Sequence, residues 1–298
     1  MFHDALVSFA ERRVIYMMQT LGYYDGKYDE IDKMVVPFDD RSHYYGDGVY
    51  DATCAGNHVI FNLDEHVDRF FNSAALLKIE IPHTKQEVKD ILNEMVKKVD
   101  GDELFVYWQV TRAVAPRNHV FPEGQKGRLW IMIRPSKIGD PSKTLKLMTV
   151  EDTRFLHCNI KTLNLIPNVM ASELGKQHGC NEIVFHRGDI VTECAHSNVH
   201  MIKDGVFITH PTDHYILPGI SRVHLIKMCK VAGIPVDERP FTVAEMMDAD
   251  EVIVSSSSNF CLSAHEIDEK PVGGKAPEIL ATLRKLLMDE YLTAIGRK

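Results

Sequence analysis

Apolar positions recur with a helical period from Leu63 to Leu77, where Val67, Phe70, Phe71, Ala74 and Leu77 fall on one face. The next helix carries its own start signal. Thr84 and Glu87 stand at capping-box spacing, and Val88, Ile91, Leu92, Met95, Val96 and Val99 mark the inner face. Runs rich in β-branched and aromatic residues surround these helices. Leu104–Thr111 and Leu129–Ile133 read as strands, as do Val49–Thr53 and His58–Phe61 around Gly56-Asn57. Asp25-Gly26, between Tyr23-Tyr24 and Lys27-Tyr28, predicts a hairpin turn. Leu6, Phe9 and Ala10 predict a short amphipathic helix within residues 1–20.

The second half opens with a strand at Leu145–Val150. Pro167 suits the first turn of a helix that ends at Gly179. Two hairpins follow, Ile183–His186 with Ile190–Glu193 and Val199–Ile202 with Val206–Thr209. A helix after Gly219 turns Leu225, Ile226 and Cys229 inward and stops at Gly233. Val252–Ser255 is a buried strand that runs into Ser255–Ser258, and Pro277–Tyr291 is a final amphipathic helix. Arg134–Ser142, with its prolines, glycine and serines, is the best linker. The pattern predicts a small α/β domain over 1–135 with a helical extension over 1–20, a linker at 136–142, and a larger domain over 143–298. The fold class is α+β: two domains with largely antiparallel sheets and flanking helices.

Composition changes this picture little. The 298 residues are 45% hydrophobic and 26% charged, with a formal net charge of -8. That balance weighs against a nucleic-acid or anionic-membrane partner. No uncharged apolar run approaches the roughly 18 residues of a membrane span. The N-terminus lacks the basic start and long apolar core of a signal peptide. Six cysteines are scattered without a Cys-x-x-Cys pair. They argue against a metal site or a disulfide framework, and for reduced thiols in the cytoplasm.

The candidate chemistry centres on Lys161, in the mostly uncharged stretch Cys158–Ile166. A lysine on an apolar background is a candidate nucleophilic amine that forms Schiff bases with carbonyls. A snorkelling lysine at a strand end would look the same. Glu193, in Ile190-Val191-Thr192-Glu193, offers a carboxylate that could hold a pyridinium nitrogen. Leu217-Pro218-Gly219-Ile220-Ser221 opens a helix, where free amides could bind an anion. The Ser255–Ser258 run and Arg69 could add to that site, or could be a plain loop and a surface charge. Arg117 and His119, after a buried strand, could grip a carboxylate, and the Tyr50 phenol could join them.

Taken in order, these segments resemble one family. Tyr45-Gly46-Asp47-Gly48-Val49-Tyr50-Asp51, His66-Val67-Asp68-Arg69, Ile160-Lys161-Thr162-Leu163-Asn164, Val191-Thr192-Glu193 and Ile216–Arg222 are similar to the signatures of fold-type IV pyridoxal 5'-phosphate (PLP) enzymes. Pro116-Arg117-Asn118-His119 is similar to the Arg-x-His carboxylate trap of the D-amino acid transaminase branch. The resemblance implies a homodimeric aminotransferase with a shared active site, acting on D-amino acids and 2-oxo acids. It implies that Lys161 forms the Schiff base with PLP and moves the proton. Glu193 would pair with the pyridine nitrogen, and Leu217 would pack on the ring. Arg69, the Ile220 and Ser221 amides and the Ser257 hydroxyl would hold the phosphate. Tyr50, Arg117 and His119 would trap the substrate carboxylate, the last two reaching in from the partner. Branched-chain aminotransferases, aminodeoxychorismate lyases, (R)-amine transaminases and a non-catalytic PLP-binding protein are the alternatives. The chain departs from the family's pattern at Asp51, where Glu is commoner, at Cys194-Ala195-His196, and at Ser221.

Overall fold

Asp25 and Gly26 take φ values of 49° and 94°, and a two-residue turn with both φ positive matches the twist of the strands it joins. Strands β1 (Leu21–Tyr24) and β2 (Lys27–Asp29) meet there, as the sequence predicts. The computed structural model describes residues 17–298. The predicted extension over 1–20 lies mostly outside them. Its described end is not helical: Met18 bridges Val99, and the Gln19 and Thr20 amides donate to the Glu30 carboxylate.

After the short helix α1 (Arg41–Tyr45) come β3 (Gly48–Gly56), β4 (Val59–Ile60), α2 (Leu63–Leu76), α3 (Lys85–Val96), β5 (Glu103–Thr111) and β6 (Arg128–Pro135). The sheet is antiparallel throughout, in the order β2-β1-β6-β5-β3-β4. Alternation along β5 divides its residues. Val106, Trp108 and Val110 are fully buried in a core with Phe70, Leu92 and Val96, while Phe105 and Tyr107 point to the opposite face. The Thr84–Glu87 capping box forms as predicted, and it fixes where α3 begins.

The second half contributes β7 (Thr144–Glu151), α4 (Ile166–Gln177), β8 (Glu182–Arg187), β9 (Ile190–Cys194), β10 (Asn198–Lys203), β11 (Val206–Thr209), α5 (Ile220–Val231), β12 (Val236–Glu238), α6 (Val243–Met247), β13 (Glu251–Ser255), β14 (Leu262–Ile267), β15 (Lys270–Pro271) and α7 (Pro277–Ala294). The nine strands form one sheet, with β12-β11-β10-β13-β14-β7-β8-β9 along its path and β15 beside β14. It is mixed. β7 runs parallel to both β8 and β14, and β11 runs parallel to β12. Side-chain alternation is the same in either direction, so the sequence pattern does not reveal these parallel pairs. α6 carries a Thr242–Glu245 capping box that the sequence reading passed over. Cys54 and Phe61 share a core cluster with Leu225, Cys229, Leu283 and Tyr291, so the two halves pack directly.

The connection from β7 to α4 crosses the edge of the first sheet. The Tyr50 amide donates to the Lys161 carbonyl (2.9 Å) and the Leu163 amide to the Gly48 carbonyl (3.1 Å). Gly48 makes this approach possible. A methyl group there would stand 2.6 Å from the Val110 carbonyl oxygen and 2.7 Å from Leu163 Cδ1. The substitution Gly48→Ala should therefore cost about 2 kcal/mol, the scale of overpacking a tight contact, read as a lower urea midpoint with an unchanged m-value.

Candidate active site

A cavity of about 460 Å³ lies between the two sheets. Tyr50, Arg69 and Phe105 line it from the first half, and Lys161, Glu193, Leu217, Ser221 and Ser257 from the second. Lys161 is half-buried, with Nζ 4.3 Å from the centroid of the Tyr50 ring. Its own amide donates to Ser73 Oγ on α2 (3.2 Å). The pocket is less apolar than the local sequence suggests, because Arg154 and Glu193 also line it.

Glu193 lies near the end of β9 and is buried. Its Oε2 accepts from Asn198 Nδ2 and from the Leu217 amide, both at 2.9 Å, and its Oε1 accepts from Arg154 Nη1 at 2.5 Å. Burial pushes the Glu193 carboxyl up from its ordinary value, against the opposing pull of Arg154, the Leu217 amide and Lys161. Arg154 is a site residue that the sequence reading missed. Asp152 holds it through Nε and Nη2 at 3.0 and 2.8 Å, and its guanidinium lies 4.6 Å from the Phe185 ring centroid. Asp152-Thr153-Arg154, just past a strand, was the available signal.

At the other end, α5 begins after Gly219 with no side chain capping it. The first amides of a helix have no partner within it, and Ile220 and Ser221 line the cavity. Gly219 packs against Asn198 Oδ1 too closely for any Cβ. Arg69 is fixed from behind by Asp51, through Nε to Oδ2 (2.9 Å) and Nη2 to Oδ1 (2.7 Å). The same carboxylate is 2.7 Å from His66 Nδ1. The departure at Asp51 thus serves Arg69 and His66. Burial opposes its charge, but Arg69 and His66 outweigh burial and hold the carboxyl well below the ordinary range. Burial lowers His66 in turn. A neutral ring that donates from Nδ1 to Asp51 has Nε2 left as an acceptor, and Ser257 Oγ stands 3.4 Å from it.

Arg117 and His119 do not line this cavity. Both are exposed on the loop after β5, packed beside Tyr45 at 5.4 Å and 5.2 Å. Cys158 does line the cavity. Burial pushes its thiol up to about 11 and raises that of Cys194 well above its ordinary value, so neither is a thiolate at neutral pH. His196 sits in the turn between β9 and β10, with Nδ1 2.6 Å from Glu182 Oε2.

An amine, a buried carboxylate and a cluster of uncapped amides with an arginine thus face one cavity. These donors fit a phosphorylated pyridine aldehyde: the amides, Arg69 and Ser257 suit its phosphate, and Glu193 suits its ring nitrogen. Residues 48–267 match the amino-transferase class IV family. The chain belongs to the class IV aminotransferases. The cofactor of this aminotransferase is PLP. The enzyme is 38% identical to a D-alanine aminotransferase of Listeria monocytogenes serotype 4b (strain F2365) over 273 residues, 90% of this chain and 94% of that one. A D-alanine aminotransferase of Staphylococcus haemolyticus is 36% identical over 88% of this chain and 95% of its own length. Among solved structures, the branched-chain amino acid aminotransferase from Escherichia coli superposes with a TM-score of 0.83 at 19% identity, covering 94% of this chain and 96% of that one. The branched-chain aminotransferase of Thermoproteus uzoniensis with norvaline gives 0.82 at 21% identity, over 93% and 95%. These two show a shared fold-type IV architecture.

The Asp51 network carries a testable pH signature. A carboxyl depressed in the folded state contributes stability that is complete above its unfolded pKa of about 3.9 and is lost as pH falls from there toward its folded value. The variant Asp51→Asn should lose about 3–5 kcal/mol at pH 7, because it leaves Arg69 buried without its partner. Its remaining stability should then fall less steeply than the wild type's below pH 4, measured by urea unfolding across that range.

Proposed function

We propose that the enzyme transfers the amino group of D-amino acids of the D-alanine type to a 2-oxo acid such as 2-oxoglutarate, in ping-pong fashion. The observation that carries this reading is the 36–38% identity to D-alanine aminotransferases over most of both chains, joined to the Arg117-Asn118-His119 loop. PLP supplies the carbonyl carbon to which Lys161 links, and a ring that takes up the electron pair of the broken Cα–H bond. The incoming substrate amine displaces Lys161, whose freed Nζ removes the α-proton and returns it at the cofactor carbon that Lys161 has left. Glu193 holds the ring nitrogen through the lone pair of Oε1 that Arg154 leaves free, and Leu217 packs against the ring. Arg69, the Ile220 and Ser221 amides and the Ser257 hydroxyl hold the phosphate.

Tyr50 stands ready for the substrate carboxylate within one protomer. Arg117 and His119 complete that trap in a homodimer by reaching into the partner's cavity. The face that bears them supports this reading. Arg41 Nη1 donates to the Asn118 carbonyl, and the Ala115 amide to that of Asp39, which ties the Arg117 loop to the start of α1. Val35, Phe38 and Val120 there are 83%, 86% and 71% exposed, an apolar surface suited to a second copy. Six free thiols support a cytoplasmic location.

Three measurements test the proposal. Lys161→Ala should abolish turnover and the visible absorbance of the linked cofactor. Arg117→Ala should lower kcat/KM for D-alanine by about a hundredfold, the scale of losing a charge-assisted bidentate contact. Amino transfer to 2-oxoglutarate assayed in parallel from D- and L-alanine should proceed from the D-isomer. Preference for the L-isomer would overturn the stereochemical part.

A further inference from the structure

The turn Ala195-His196-Ser197 forms one wall of the cavity, and α4 steadies it through Asn168 Nδ2, which donates to the Ala195 carbonyl (2.7 Å). Behind it Glu182 is only 5% exposed. Its Oε1 accepts from the Ile183 amide (2.9 Å), and its Oε2 accepts from Ser197 Oγ (2.6 Å) and lies 2.6 Å from His196 Nδ1. A buried carboxylate is kept ionised by a cationic partner. Among the described residues, Glu182 pairs with no lysine or arginine, so His196 is the cation that balances it.

This pairing fixes what the other ring nitrogen presents. A neutral ring donating from Nδ1 would offer a bare Nε2 lone pair, whereas a protonated ring offers a second N–H. Among the described residues no protein group bonds Nε2, and the His196 side chain is 66% exposed at the cavity wall. Hydrogen bonding to Glu182 raises the His196 pKa above its ordinary value, against the positive charge of Lys161. The wall therefore carries one oriented cationic donor, on a different element from the residues proposed for the α-carboxylate.

We propose that His196 docks the second carboxylate of a dicarboxylic substrate, and so makes the enzyme favour 2-oxoglutarate over a short monocarboxylic 2-oxo acid as amino acceptor. The inference rests on the transaminase reading above, but not on its stereochemistry, since 2-oxo acids are achiral at the reacting carbon. An apolar side chain gains nothing from Nε2–H. A carboxylate gains a charge-assisted hydrogen bond and reinforces the proton that makes it.

The test uses the holoenzyme and the variants His196→Ala and His196→Lys. Single-turnover reaction of the aminated enzyme with 2-oxoglutarate and with pyruvate gives the ratio of kcat/KM values. That ratio should fall about tenfold or more in His196→Ala, the scale of a lost hydrogen bond to a charged group, and recover in part in His196→Lys. A ratio unchanged within about twofold, or parallel losses for both acids, would overturn the proposal. Titration of the holoenzyme's visible absorbance with glutarate and with butyrate needs no turnover. The wild type should bind glutarate more tightly, and His196→Ala should lose that margin. Equal margins in the two proteins would also refute the role of His196, whatever the enzyme's preference between D- and L-alanine.

Discussion

The active site depends on one short backbone pairing between parts of the chain more than a hundred residues apart. Tyr50 and Gly48 on β3 exchange hydrogen bonds with Lys161 and Leu163. Lys161, the lysine proposed to link the cofactor, would otherwise ride on an unsupported connection between a strand and a helix. Here the edge of the opposite sheet fixes its carbonyl, and Ser73 fixes its amide. Reactive groups held this way need little reorganisation when substrate arrives, which is how positioning lowers a barrier. The restriction of residue 48 to glycine follows from the same contact, since any side chain would part the strand from the loop.

Two buried charge networks support the two ends of the cavity. Asp51 holds Arg69 and His66 at one end, and Asp152 holds Arg154 against Glu193 at the other. Neither is a lone buried ion. Each carboxylate meets a guanidinium with further hydrogen bonds, the condition under which burial of charge is tolerated. Trp108 and Phe70 pack beneath the first network, and Phe185 lies against the Arg154 guanidinium.

The sequence showed some of this more clearly than the rest. Periodicity located the long helices because their inner faces are continuous, and the Thr84–Glu87 box fixed one of them to the residue. The first hairpin was legible from Asp25-Gly26, where a turn has a chemical signature. Strand direction was not legible, so the parallel placement of β7 between β8 and β14 was missed. Lys161, Glu193, Arg69, Ile220, Ser221 and Ser257 each had an innocent local reading, and their order along the chain singled them out. Arg154 stayed hidden because its importance lies in a contact with Glu193, a residue far from it in the chain. Arg117 and His119 show the opposite limit: their motif is plain, yet they stand outside the cavity.

Helix α2 has a geometric role beyond its packing. Arg69 and Ser73 lie four residues apart on one face, about 6 Å along the axis at the rise of an α-helix. Arg69 reaches the end of the cavity proposed for the phosphate, and Ser73 holds the amide of Lys161. A single helical turn thus acts as a ruler between the cofactor's two proposed anchoring points. Loops around the site can vary in length without disturbing that spacing. An extra residue within this turn would swing one mark about 100° around the axis and leave the ruler with a single end.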